Sequence, residues 1–177
     1  LSFLRFSFRL FDDIMAKLHA FLSSPWLTVR VQIALGAIFV ASSIPKIIDP
    51  PSFAQMIYNY RLVPGFALNV MAMAMPWLEM LCGLALILGI WRRSAAAIVG
   101  ALLLSFVIAL SINLGRDNAV NCGCFDLTSA SKSHAELIAE MELVIVRDIG
   151  MLLMVAQILW AASRRRLERG TREVTSS

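Results

Sequence analysis

The sequence predicts an all-α polytopic membrane protein, a four-helix bundle with an N-terminal interfacial amphipathic helix. Three observations lead there. Of the 177 residues, 59% are hydrophobic and 16% charged, whereas in a soluble domain about half are apolar and about a quarter charged. A chain of this length cannot enclose so much hydrocarbon in a water-facing globule, and its mean hydropathy is +0.74. The apolar residues also fall into four continuous runs, at 27–44, 66–90, 95–114 and 143–162. Each is near the ~20 residues needed to cross a bilayer core at 1.5 Å per residue. None shows the alternation of a membrane barrel strand, so each reads as a helix.

Residues 1–25 form the first unit, in which Phe3, Leu4, Phe6, Phe8, Leu10 and Phe11 are mixed with Arg5, Arg9 and Lys17. That composition suits a helix lying in the membrane interface and ending at Pro25. The first span is expected to remain as an anchor. Residues 26–163 are the membrane domain, and 164–177 form a basic tail.

The segment between the first two spans contains Asp49-Pro50-Pro51 and then Phe53, Ile57 and Tyr60, spaced to share one face of a short surface helix. Its aromatic residues suit anchoring at the membrane interface or docking of a partner, with Tyr58 and Tyr60 as docking candidates.

Basic residues set the orientation. Eleven of the sixteen gather on one side of the spans, at Arg5, Arg9, Lys17, Arg30, Arg92, Arg93 and in the tail from Arg164 to Arg172. The other side has Lys46, Arg61, Arg116 and Lys132. By the positive-inside rule both termini are cytoplasmic, and segments 45–65 and 115–142 face outward. In a bacterium this is a multi-pass inner-membrane protein whose outer loops face the oxidising periplasm. The bases mark topology at the ends of apolar runs, so the lipid bilayer, and no nucleic acid, is the expected partner.

Two sets of residues could carry chemistry. The outer loop after the third span contains Cys122-Gly123-Cys124-Phe125. Gly123 permits a tight turn, and a disulfide closed over one residue is strained and easily reduced, which suits transfer of oxidising equivalents. A simple loop staple or two free thiols remain open readings. Phe125 could shield the pair or dock a partner. The loop adds only His134 as a further soft donor, short of the four ligands of a structural zinc, so no metal is predicted.

The second set is intramembrane. Glu79 lies within the second span, where an ionised carboxylate normally faces the bundle interior. Its candidate partners are Arg147, beside Asp148 near the outer end of the fourth span, and then Lys46 at the outer end of the first. A structural ion pair and a proton or quinone site are both open for it. Cys82 reads as a small packing residue.

In order along 35–154, the chain shows Lys46 with Asp49-Pro50, Tyr60 with Val63-Pro64, Pro76-Trp77-Leu78-Glu79, Cys122-Gly123-Cys124-Phe125 and Arg147-Asp148. In these it resembles the MauE family of methylamine utilisation membrane proteins, related to DoxX. It departs at Asp126, where the family commonly has Gly, and in a Ser-rich, helix-like insert over 128–142. The resemblance implies a membrane accessory factor that assists processing, export or maturation of the disulfide-rich small subunit of methylamine dehydrogenase, alongside a periplasmic thioredoxin-like protein. Cys122 and Cys124 would then be the catalytic pair acting on a disulfide-containing exported client. The alternative is a non-catalytic membrane chaperone or anchor for the thioredoxin-like partner, with the pair only rigidifying its loop. No cofactor is predicted; quinone is conceivable at Glu79, but the chain lacks the second Cys pair that quinone-coupled thiol oxidases carry at a helix end.

Overall fold

The computed structural model describes residues 24–118, 120 and 133–175, with side chains as far as Arg164. The interfacial helix expected over 1–25 lies almost wholly outside these residues, as do Cys122, Cys124 and Phe125.

Five helices and no strand are found among the described residues: α1 Pro25–Ile48, α2 Pro50–Asn59, α3 Gly65–Leu88, α4 Arg92–Gly115 and α5 His134–Thr175. Helices α1, α3, α4 and α5 are each long and apolar enough to cross a membrane, and the protein is a multi-pass membrane protein. In lipid every backbone polar group must be satisfied within the protein, which helices achieve locally.

Local sequence sets the boundaries. Pro25 opens α1, where its missing N–H costs nothing. The Asp49 side chain caps α2 by accepting from the Ser52 N–H at 3.2 Å, with Pro50 and Pro51 in the first turn. Gly89, at φ 71°, closes α3. There the Ile90 N–H donates to the Ala85 carbonyl and the Gly89 N–H to that of Leu86, a glycine-dependent C-cap. Ser133 and Glu136 cap α5 reciprocally: the Ser133 N–H donates to Glu136 Oε2 at 2.8 Å and the Glu136 N–H to Ser133 Oγ at 3.3 Å.

Two elements differ from the sequence expectation. The fourth span begins at His134, because the run holding Glu136, Glu140 and Glu142 lowers hydropathy without breaking the helix. Over its 42 residues, α5 extends about 63 Å, well beyond the ~30 Å hydrocarbon core. The short helix expected on the surface is instead folded into the bundle, burying Phe53 and Met56, with Tyr60 just beyond its end also buried.

The bundle is built mainly from two antiparallel pairs, α1 with α3 and α4 with α5. Gly36 and Gly83 bring α1 and α3 into backbone contact: a Cβ added at Gly36 would lie 2.6 Å from the Gly83 carbonyl oxygen. Small residues of this kind allow close approach of helices in a membrane.

Two apolar clusters result. The inner one includes Leu35, Phe39, Leu86, Val99, Val155 and Ile158. The outer one includes Phe53, Met56, Tyr60, Leu110, Val120 and Met141. Beside the inner cluster, at the end of the bundle where α1 begins, Trp26 and Trp91 are exposed, and the Arg164 guanidinium lies 5.2 Å from the centre of the Trp160 ring. Such a belt of Trp and Arg suits a membrane–water interface.

Candidate functional site

A layer of charge separates the two apolar clusters. Lys46 Nζ donates to Glu79 Oε2 at 2.7 Å and Oε1 at 3.0 Å, and both side chains are nearly buried, at 9% and 13% exposure. The ammonium also sits 5.3 Å from the centre of the Phe53 ring. Across the bundle, Arg147 directs Nε and Nη2 to Asp148 Oδ1 at 3.0 and 2.8 Å. Asp148 is fully buried, and its second oxygen, Oδ2, has no hydrogen-bond partner among the described residues.

All four groups line one cavity of ≈ 80 Å³, together with Ser42, Phe39, Met75, Phe106 and other apolar side chains. That volume holds two or three waters at ~30 Å³ each. Two basic side chains and two acidic ones thus share one layer.

This geometry corrects the expected pairing, because Glu79 is held by Lys46 and not by Arg147. Successive residues on a helix point about 100° apart, so when Asp148 takes the inward position Arg147 is left on the flank, where its side chain is 34% exposed.

The depth is corrected too. Arg147 was expected near the outer end of its span, whereas Lys46 does stand in the last turn of α1 as expected. Glu79 stands fourteen residues past Gly65 and Asp148 fourteen past His134, each about 21 Å along its helix from the helix N-terminus. Lys46 reaches them because α1 stops at Ile48 and α2 fills the bundle above it.

Proline loosens the backbone at this level. Pro45 precedes Lys46 within α1, and Pro76 stands one turn before Glu79 within α3; each removes one backbone donor from its helix.

Beside the charged cavity lies a second space that the sequence did not reveal. It is a half-open groove of ≈ 350 Å³ with almost wholly apolar walls, formed by α2, the segment at Leu62 and Val63, one face of α3 and one face of α4. Phe53, Met75 and Phe106 line both spaces. Of the two candidate docking tyrosines, Tyr58 is exposed and Tyr60 turns inward, its ring 6.3 Å from that of Phe106.

The Cys-Gly-Cys run lies outside the described residues, but both ends of its loop are held. Asn118 Nδ2 donates to Asn113 Oδ1 at 2.6 Å and to the Asn59 carbonyl at 3.2 Å, tying the end of α4 to the end of α2. Val120, two residues before Cys122, is buried in the outer cluster. His134 Nε2 lies 3.3 Å from the Asp117 carbonyl oxygen, which brings the start of α5 against the end of α4. Cys82 is buried in the inner cluster, as expected of a packing residue. No group of three or more metal-ligating side chains occurs among the described residues.

The sequence profile of the family described as methylamine utilisation protein MauE matches residues 24–161, from the first residue of the bundle to the last turns of its fourth span. The chain belongs to the MauE family. Three similar relatives are each called methylamine utilization protein MauE. The one from Methylophilus methylotrophus is 31% identical over 108 residues, 60% of this chain and 57% of the relative. The one from Methylorubrum extorquens is 34% identical over 107 residues, 60% and 58% of the two chains. The one from Paracoccus denitrificans is 33% identical over 106 residues, 59% and 57%. The matched stretch thus spans less than two thirds of each MauE relative. No solved structure matches the chain.

Proposed function

We propose that the protein acts in methylamine utilisation as an inner-membrane accessory factor that matures an exported, disulfide-rich client by thiol–disulfide exchange through Cys122 and Cys124. The client that fits the family is the small subunit of methylamine dehydrogenase. The observation that carries the reading is the coincidence of the MauE match with a Cys-Gly-Cys run joining α4 to α5. That junction is at the end of the bundle opposite Trp26, Trp91 and Arg164. With the basic end cytoplasmic, the pair faces the periplasm and both termini face the cytoplasm.

The exchange balances as follows. A client thiolate attacks one sulfur of the Cys122–Cys124 disulfide, breaking the S–S bond and forming a mixed disulfide, and the other cysteine leaves as thiolate. The second client thiolate then displaces the protein's sulfur. The client has gained a disulfide, and the pair has accepted two electrons and, as its thiolates reprotonate, two protons. A periplasmic thioredoxin-like protein in its disulfide form restores the pair.

The test is a trap in intact cells. Cys122→Ser and Cys124→Ser should each abolish client disulfide formation, and one of them should accumulate a covalent adduct that reductant releases. If the double serine variant is present at normal level and the client matures as with wild type, the exchange reading fails and a non-catalytic chaperone or anchor replaces it.

A further inference from the structure

We infer that the mid-bundle charged cavity and the apolar groove beside it form one binding site for an isoprenoid quinone, with the ring toward Lys46 and Asp148 and the chain in the groove. The site goes beyond the thiol chemistry proposed above and does not depend on it.

The two spaces are neighbours that share Phe53, Met75 and Phe106 as lining. Taken together, ≈ 80 and ≈ 350 Å³ fall within the ~300–1,000 Å³ of small-molecule pockets. A Met side chain has three rotatable bonds and gives way readily, so Met75 is a natural gate between them.

The order of polarity along the site selects the ligand. The groove is apolar over nearly all its wall, with Met71, Ile108 and Ile112 suited to a hydrocarbon chain. Its charged end is the deep one, at the level of Glu79 and Asp148, about 21 Å along α3 and α5 from their N-termini. A phospholipid keeps its charged headgroup at the interface and would have to enter reversed. A ligand with a small uncharged head that dissolves in the hydrocarbon meets the arrangement, and an isoprenoid quinone is that kind of molecule.

The head also finds the complement it requires. Quinone carbonyls only accept hydrogen bonds, and the Lys46 ammonium carries three hydrogens, of which Glu79 takes two. Quinol hydroxyls can donate, and Asp148 Oδ2 is a buried acceptor with no hydrogen-bond partner among the described residues. A buried acceptor left in that state is costly, which a ligand donor relieves.

The test measures binding of decylubiquinone and decylubiquinol to the full-length, detergent-purified protein by equilibrium dialysis. Saturable binding of one molecule per chain is expected. Ala109→Phe and Ser105→Phe each fill the groove without touching the charges, and whichever is monodisperse with an unchanged melting temperature should bind at least tenfold more weakly. Asp148→Asn should weaken the quinol at least fivefold more than the quinone. Cys122→Ser/Cys124→Ser should bind as wild type, so loss of this site and loss of the exchange function are read separately. Absence of saturable binding to wild type overturns the inference, and so does a folded groove variant that binds normally. Displacement of the quinone by equimolar dioleoylphosphatidylglycerol overturns it in favour of a phospholipid site.

Discussion

Replacing Glu79 by Leu removes the carboxylate that holds Lys46, and the structure fixes who else can respond. Lys46 is 9% exposed, so water cannot solvate the stranded ammonium fully. Breaking a buried pair by removing one member costs about 3–5 kcal/mol. Asp148 lines the same cavity and its Oδ2 has no partner among the described residues, so Glu79→Leu is expected at the lower end, about 3 kcal/mol. That is somewhat more than a hundredfold in the folding equilibrium, at tenfold for each ~1.4 kcal/mol. Lys46→Met removes the cation and leaves the Glu79 carboxylate without its partner beside another acid, which places it at the upper end. The double variant Lys46→Met/Glu79→Leu should recover most of the loss, because an apolar pair of similar volume is often neutral or better.

The assay is reversible unfolding in mixed micelles with increasing dodecyl sulfate, followed by tryptophan fluorescence. The control is Arg147→Met/Glu79→Leu, which should be no better than Glu79→Leu alone. Equal rescue by Arg147→Met would refute the pairing deduced here, and unchanged stability of Glu79→Leu would refute the claim that the pair is buried and charged.

Two further outcomes follow from other parts of the fold. Gly36→Ala would place a Cβ 2.6 Å from the Gly83 carbonyl oxygen and 2.8 Å from Ile87 Cγ1; backbone must shift, so a loss of about 1–3 kcal/mol typical of overpacking is expected in the same unfolding assay, while Gly150→Ala, with open space around it, should be nearly silent. A periplasm-dependent phosphatase fused after Ser163 should stay inactive and one inserted at Ser129 should be active; the reverse pattern would invert the orientation drawn from the basic residues.

Much of this frame is legible in the residues alone. The four apolar runs locate the spans to within a few residues, except where charge hides a helix. Glu136, Glu140 and Glu142 lower the hydropathy of the segment before Leu143, yet the Ser133 to Glu136 spacing is a helix-start signature that could have placed the beginning of α5. The intramembrane polar residues are also identifiable, and Lys46 is among the candidate partners of Glu79, though ranked after Arg147. Lys46 is at the end of its span, as the sequence indicates, but that the first helix ends deeper than its neighbours is not legible in the residues. The Asp49-Pro50-Pro51 break ends α1 early, and α2 packs mainly against α3, a tertiary choice by which Phe53, Met56 and Tyr60 join one apolar cluster with Ala72, Leu110 and Met141. The shared walls of the cavity and the groove were beyond sequence reasoning for the same reason, since Phe53, Met75 and Phe106 come from three helices.

The charged layer poses an energetic question that packing does not answer. The inner and outer clusters are both apolar, and continuing either one through the positions of Ser42, Lys46, Glu79 and Asp148 would give an uninterrupted core. Taking two charges out of water costs several kcal/mol per ion after relaxation, and their mutual attraction repays it only with good geometry and full hydrogen bonding. Here the geometry of Lys46 with Glu79 is good, and Asp148 Oδ2 has no hydrogen-bond partner among the described residues. The rescue expected of Lys46→Met/Glu79→Leu expresses the same point: the fold can do without this pair. If removing one member proves destructive and removing both is tolerated, the pair is held for something other than stability. The Lys46–Glu79 pair, the buried Asp148 and the cavity they line are then what the proposed quinone site calls on, with the adjoining apolar groove taking the chain.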